Sequence, residues 1–192
     1  MCHSLPLEGK IYEVLRQVDL DLAAEAQAAG CAVCGDRLHR GDYPRKPRGG
    51  PEGFPALVRR LSFCCRREGC RRRRTPPSVR FLGRKVYLAT VVVLVAVLRH
   101  GVTPRRMGQL HGVLGVSRRT LLRWRSWWRE TFVATRCWYE LRGRLMPAVN
   151  EAGLLRSLWD QFPGDLSTRL LRVLRFLSPV TARPGCELVR RI

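Results

Sequence analysis

Lysine is nearly missing from this sequence: Lys10, Lys46 and Lys85 are the only three among 36 basic residues. Acids are scarce as well, 15 in 192 residues, which leaves a net charge of +21 with histidine neutral. A coding bias toward arginine explains the shortage of lysine but not the excess of positive charge. That excess excludes an acidic or neutral housekeeping domain as the simplest reading. It favours a polyanionic partner, either nucleic acid or an anionic membrane surface. Long hydrophobic runs are absent. The longest, Val86–Leu98, has 13 uncharged residues, whereas a bilayer-spanning helix needs about 20. Arg84, Lys85 and Arg99 bound this run, so it reads as a core helix and no membrane partner is expected. Met1 to Leu7 lack the basic start and apolar stretch of an export signal, which points to a cytoplasmic location. Internal repeats and low-complexity tails are missing, and the four histidines (His3, His39, His100, His111) are scattered without a partner motif.

Apolar residues make up 45% of the chain, enough for a core in one ordinary domain or two small ones. Charge is unevenly spread: residues 1–30 are net −3, 31–58 net +2, 59–85 net +10, 86–98 neutral, 99–144 net +9 and 145–192 net +3. Ile11, Val14, Leu15, Val18 and Leu22 recur at helical steps, so residues 8–29 are expected to form an amphipathic helix stopped by Gly30. Its acids could screen the basic surface, but simple solvation of one helix is the plainer reading. Residues 31–58 are rich in glycine and proline and read as loops and a short hairpin. Leu57 to Cys65 is strand-like, with Leu61, Phe63 and Cys65 on one face and Arg60, Ser62 and Cys64 on the other.

Eight cysteines are present. Cys31 and Cys34 form C-x-x-C followed by Gly35, and Cys65 and Cys70 form C-x4-C with Gly69 between them. Two such tight turns facing each other aim four thiolates at one ion, the arrangement of a structural zinc ribbon. The Pro/Gly-rich insert at 41–55 accounts for the long interval between the pairs. Cys64 competes with Cys65 as third ligand; Cys65 is favoured because it shares a strand face with Leu61 and Phe63. His39 is a substitute ligand of the second rank. A redox C-x-x-C would need a βαβ setting that is missing, and Cys2, Cys137 and Cys186 lack paired spacing.

Residues 103–129, TPRRMGQLHGVLGVSRRTLLRWRSWWR, have the pattern of a helix-turn-helix. Thr103 and Pro104 suit a helix start. Met107 and Leu110 form its buried side, Gly115 and Val116 make the turn, and Ser117 caps the second helix. Leu121, Leu122 and Trp124 are expected on the apolar side of that helix. Ser117, Arg118, Arg119, Thr120, Arg123 and Arg125 are the candidate DNA contacts, because the start of a recognition helix meets base edges and an arginine fork reads guanine. A basic hairpin packed against the rest of the fold would use the same residue types. Trp127 or Trp128 is expected to pack onto the next helix rather than stack on bases. Arg71, Arg72, Arg73 and Arg74 form a candidate phosphate clamp, or else a solvated face. Two apolar stripes follow, one through Leu154, Leu155, Leu158 and Phe162, the other through Leu166, Leu170, Leu171, Leu174 and Leu177. They suit either a homodimer element or packing back onto the helix-turn-helix.

CAVCGD at 31–36, RRLSFCCRREGCRRR at 59–73 and the run at 103–129 together resemble the N-terminal DNA-binding region of bacterial insertion-sequence transposases. The resemblance covers about residues 31–130. It implies a zinc ribbon ahead of a helix-turn-helix, with Cys65 in the matching place after Phe63-Cys64. It also implies a bacterial, nucleoid-associated setting. Such transposases continue into an RNase H-like domain carrying three metal-binding carboxylates. After residue 130 only Glu140, Glu151, Asp160, Asp165 and Glu187 are acidic, and about 60 residues cannot hold that fold. What the resemblance implies is therefore the recognition part of a mobile-element system, either accessory or a remnant, with a separate catalytic subunit as a candidate partner.

The expected fold is mainly α with a small zinc-ribbon β module. The expected division is an N-terminal helix at 1–30, the zinc module with its basic tail at 31–80, a trihelical helix-turn-helix domain at 81–144 and C-terminal helices at 145–192. The expected function is non-enzymatic recognition of duplex DNA with a structural Zn2+. The alternatives are an RNA-binding zinc-ribbon protein and a compact transposase or nuclease.

Overall fold

A computed structural model describes residues 9–48, 54–81, 111 and 117–182. It is helix-rich, with small antiparallel sheets. Helix α1 (Gly9–Ala28) agrees with the periodicity, and Gly30 closes it at φ 68°. A side chain at Gly30 would place its Cβ 2.8 Å from the Gly35 carbonyl oxygen, so both the positive φ and the close approach require glycine there.

Five short strands follow: β1 (Leu38–Arg40), β2 (Tyr43–Arg45), β3 (Val58–Arg60), β4 (Phe63–Cys65) and β5 (Arg73–Arg74). Pairing runs from Leu38↔Cys65 to Arg40↔Phe63, and resumes from Tyr43↔Arg60 to Arg45↔Val58. Two positions are skipped on each side without a change of register. The arms 38–45 and 58–65 therefore form one antiparallel ribbon with a break in the middle, where Gly41 N–H donates to the Ser62 carbonyl at 2.8 Å and Ser62 N–H donates to Asp42 Oδ1 at 3.0 Å. β5 returns along β4, pairing Phe63↔Arg74 and Cys64↔Arg73.

Leu61, Phe63 and Cys65 are buried as the alternation required. The opposite face differs from expectation: Arg60 and Ser62 are buried too. The segment 75–81 covers that face. Arg60 Nη2 donates to the Pro76 carbonyl at 2.6 Å, and the Ser62 and Thr75 hydroxyls lie 3.4 Å apart. Burial lowers the Arg60 pKa from its ordinary value, against the pull of Asp19 in the other direction.

The helices within residues 117–182 are α2 (Arg118–Ser126), α3 (Arg136–Arg142), α4 (Leu154–Asp160) and α5 (Leu166–Leu177). A π-helical turn, Trp127–Phe132, joins α2 to the chain leading into α3. The wider turn accommodates an aromatic cluster: Trp128 lies 4.7 Å from Trp127 and 4.8 Å from Phe132 between ring centroids, and Phe132 lies 5.6 Å from Trp138. Trp128 and Phe132 are almost fully enclosed, which stabilises the fold by roughly 1.5–3 kcal/mol for a large apolar side chain.

Two cores result. The larger joins Tyr12, Leu15 and Val18 of α1 to Val79, Phe81, the aromatic cluster, Leu154, Leu155 and Leu158 of α4, and Leu170, Val173, Leu174 and Leu177 of α5. Most of the leucines of both C-terminal stripes are thus spent inside the molecule; Leu166 stays exposed. The smaller core holds Ala23 and Ala26 of α1 with Cys31, Leu38, Leu61, Phe63 and Cys65. α1 therefore enters both cores, one through each half. At their junction sits Asp19, which is buried rather than solvated. Its carboxylate accepts from Arg80 Nε at 2.8 Å, Ser78 Oγ at 2.7 Å and Val79 N at 2.7 Å. Ser78 N–H in turn donates to Thr181 Oγ1 at 2.7 Å.

The expected neutral helix at 86–98 and the first helix and turn of the helix-turn-helix, with Thr103, Pro104, Met107, Leu110, Gly115 and Val116, lie outside the described residues. Among the described residues no helix is long and apolar enough to cross a membrane.

Candidate functional site

Two knuckles bring four sulfurs together. In the first, Gly35 N–H donates to the Cys31 carbonyl at 2.8 Å and Cys31 N–H donates to the Asp36 carbonyl at 2.9 Å. Gly35 takes φ 73°, which lets the chain turn back directly after Cys34. In the second, Cys70 and Arg71 N–H groups both donate to the Arg67 carbonyl, and Gly69 takes φ 82°. The ribbon β1–β4 carries the knuckles to one end, where Arg66 N–H donates to the Arg37 carbonyl at 2.9 Å.

The Sγ atoms of Cys31, Cys34, Cys65 and Cys70 all lie within 4.8 Å of one another. Contacts run between knuckles: Cys31 to Cys70 at 3.7 Å and Cys34 to Cys65 at 3.4 Å. A tetrahedral ion with sulfur ligands at about 2.3 Å has sulfurs about 3.8 Å apart along each edge. Disulfides need about 2.05 Å, so these are not bonded pairs, and all four cysteines are free. The donor set fits one soft divalent cation. The expected third ligand, Cys65, is the one in the cluster. Cys64 turns away, half-buried, and its thiol donates to the Arg71 carbonyl at 3.3 Å. His39 is exposed on β1 and outside the group.

The sulfurs differ in acidity. The N–H groups of Val33 and then Cys34 point at Cys31 and hold its thiol down to about 6. Burial pushes Cys65 up to about 12; the Arg67 N–H pulls the other way, and the neighbouring thiols of Cys34, Cys70 and Cys31 add to the rise. At Cys70 the Arg72 N–H lowers the value, but burial together with Cys34 and Cys31 outweighs it and the thiol is raised. A buried thiol of this kind loses its proton when a cation takes its place.

The four arginines after Cys70 are not equivalent. Arg71 and Arg72 are exposed, Arg71 at φ 42°. Arg73 is exposed but donates to the Gly41 carbonyl at 3.2 Å and sits 5.7 Å over the Tyr43 ring. Arg74 is half-buried and donates to the Gly30 carbonyl, tying the second knuckle hairpin to the end of α1. The last two therefore serve the fold.

In α2 the expected cap is present: Ser117 Oγ accepts from Thr120 N at 3.3 Å, with Ser117 in extended backbone. Arg118, Arg119, Arg123 and Arg125 are exposed, Thr120 is half-buried, and Trp124 is buried. Leu122 departs from expectation. It is 45% exposed, because two residues of helix place it about 200° around the axis from Trp124. Trp124 and Trp128 are both part of the larger core.

Sequence reasoning missed the Asp19–Arg80 pair. Asp19 sits among other acids in a helix that looks solvated, and the single clue was its place beside Val18 on the buried side.

No family model, curated protein or solved structure matches this chain.

Proposed function

We propose that this chain is a DNA-binding protein of a mobile-element, transposase-related system, with a structural Zn2+ held by Cys31, Cys34, Cys65 and Cys70 and no catalytic activity of its own. The observation that carries the reading is α2. It is capped at Ser117, anchored inward by Trp124 and lined outward by Arg118, Arg119, Arg123 and Arg125. A helix held on one side with guanidiniums on the other can be laid in a major groove. Arg71 and Arg72 clamp phosphates beside the metal centre. Three of the carboxylates after residue 130 have partners within the fold: Glu151 accepts from Trp138 Nε1 at 2.7 Å and Arg142 at 3.3 Å, Glu140 pairs with Arg136, and Asp165 caps α5. This supports a recognition role alongside a separate catalytic subunit. A homodimer on a pseudo-palindromic site would have to use a surface other than the buried leucines of α4 and α5.

The test is selection of duplexes from a random pool, followed by competition among DNA sequences and against RNA. A preferred duplex is expected. R118Q/R119Q/R123Q should lose preference by about 10-fold or more, since each bidentate base contact is worth about 1–3 kcal/mol, while zinc content stays at one ion. Equal binding to every duplex would sink the sequence-reading part, and preference for RNA would favour the zinc-ribbon RNA-binding alternative.

A further inference from the structure

Helix α5 buries Leu170, Val173, Leu174 and Leu177 almost completely. Its other side carries Arg169, Arg172 and Arg175, and the helix body LSTRLLRVLRFL contains no acid. A merely solvated face usually alternates signs, because like charges three or four residues apart repel. Here none of the three arginines forms a salt bridge among the described residues. Two are held in place. Arg169 Nε donates to the Gly164 carbonyl at 2.9 Å and Arg172 Nη1 donates to the Pro163 carbonyl at 2.7 Å, both in the turn before the helix. Each has further N–H donors beyond the one that is used. The fixed guanidiniums retain positive charge and lose less freedom when they meet an anion.

We propose that Arg169, Arg172 and Arg175 form a second nucleic-acid contact, binding the phosphate backbone of duplex DNA without reading bases. The three residues span about 9 Å along the axis at 1.5 Å per residue. Laid parallel to the duplex axis, that length faces about three phosphates of one strand, one per 3.4 Å of axis. A membrane surface is disfavoured: an interfacial helix turns its large apolar side chains toward lipid, whereas Leu170, Val173, Leu174 and Leu177 of α5 face the core, Phe176 packs on Phe162 at 5.9 Å, and Leu166 at the helix start is the one exposed large apolar residue of this helix. α4 packs against both the π-helical turn and α5, so this contact lies on a different element from α2 and does not require α2 to read bases.

The experiment uses the full-length, metal-loaded protein and random-sequence duplex DNA, titrated across potassium chloride concentrations. Three phosphate contacts contribute about 2.7 to the salt slope. R169Q/R172Q/R175Q should reduce the slope by about that amount and weaken binding at low salt, while R118Q/R119Q/R123Q serves as a separate arm. R169K/R172K/R175K keeps the charge and gives up the guanidinium bonds to Pro163 and Gly164; its slope should stay near wild type. An unchanged slope in the glutamine variant overturns the proposal. So does an equal loss in the lysine variant, which would mark the arginines as structural. Loss of binding to phosphatidylserine vesicles with DNA binding intact would assign the face to lipid instead. Absence of sequence preference in the selection, with this slope change present, would remove the α2 reading and leave this one standing.

Discussion

Cys64 and Cys65 are neighbours with opposite fates. Strand alternation sends one inward to the sulfur cluster and the other toward the Arg71 carbonyl, and that much was legible from Leu61 and Phe63. On the proposed zinc reading, Cys64→Ser should retain one zinc per chain by metal quantification and shift the melting temperature little. Cys70→Ser should lose the metal and most of the module's stability, since a structural zinc contributes on the order of 10 kcal/mol. Acidity gives a further expectation. Metal uptake needs thiolates, so a thiol whose metal-free pKa lies above the solution pH gives up a proton on binding. Cys65 at about 12 and the raised Cys70 each do so at neutral pH, whereas Cys31 at about 6 joins only in more acid solution. Affinity should therefore fall with decreasing pH, and fall more steeply below about pH 6. Calorimetry in two buffers of different ionisation enthalpy counts the protons; release of none would exclude the cluster as the binding site.

Among elements, α1 does what its periodicity could not reveal. The spacing of Leu15 and Val18 predicted an amphipathic helix, but nothing in the spacing marks which half serves which core. Nor could it show that Asp19 would be enclosed, because that depends on Ser78 and Arg80, about 60 positions later in the chain. Leu122 failed for a different reason: a short helix with many arginines allows more than one apolar arc, and Trp124 decides which is used. Removing one member of a buried ion pair strands the other charge, at a cost of about 3–5 kcal/mol. Asp19→Ala should thus lower stability by that order in urea unfolding. Arg136→Ala, which breaks an exposed pair with Glu140, should change it by no more than about 1 kcal/mol. Equal effects would mean that the junction is not what holds the halves together.

At the scale of the whole molecule, the helix-rich character and the meeting of the two cysteine pairs were legible from glycine placement, cysteine spacing and apolar periods. The fate of the C-terminal leucines was not, since an apolar stripe looks the same whether it meets its own chain or another copy. Because α1 belongs to both cores, removal of the metal should have unequal effects. Hydrogen exchange after chelation should show rapid loss of protection in the ribbon strands and the end of α1, with protection kept in α4 and α5, whose partners lie in the larger core. Uniform loss throughout would mean that the metal holds the entire fold.

The unbroken register of the two arms has one more implication. The Arg45↔Val58 pair closes the end of the ribbon farther from the sulfurs. Paired residues added or removed at that end leave the register at the knuckles unchanged. The 30 residues between Cys34 and Cys65 are therefore a poor signature of kinship: a search pattern that fixes this count would pass over chains built in the same way, whereas one that fixes each knuckle and leaves the interval free would not.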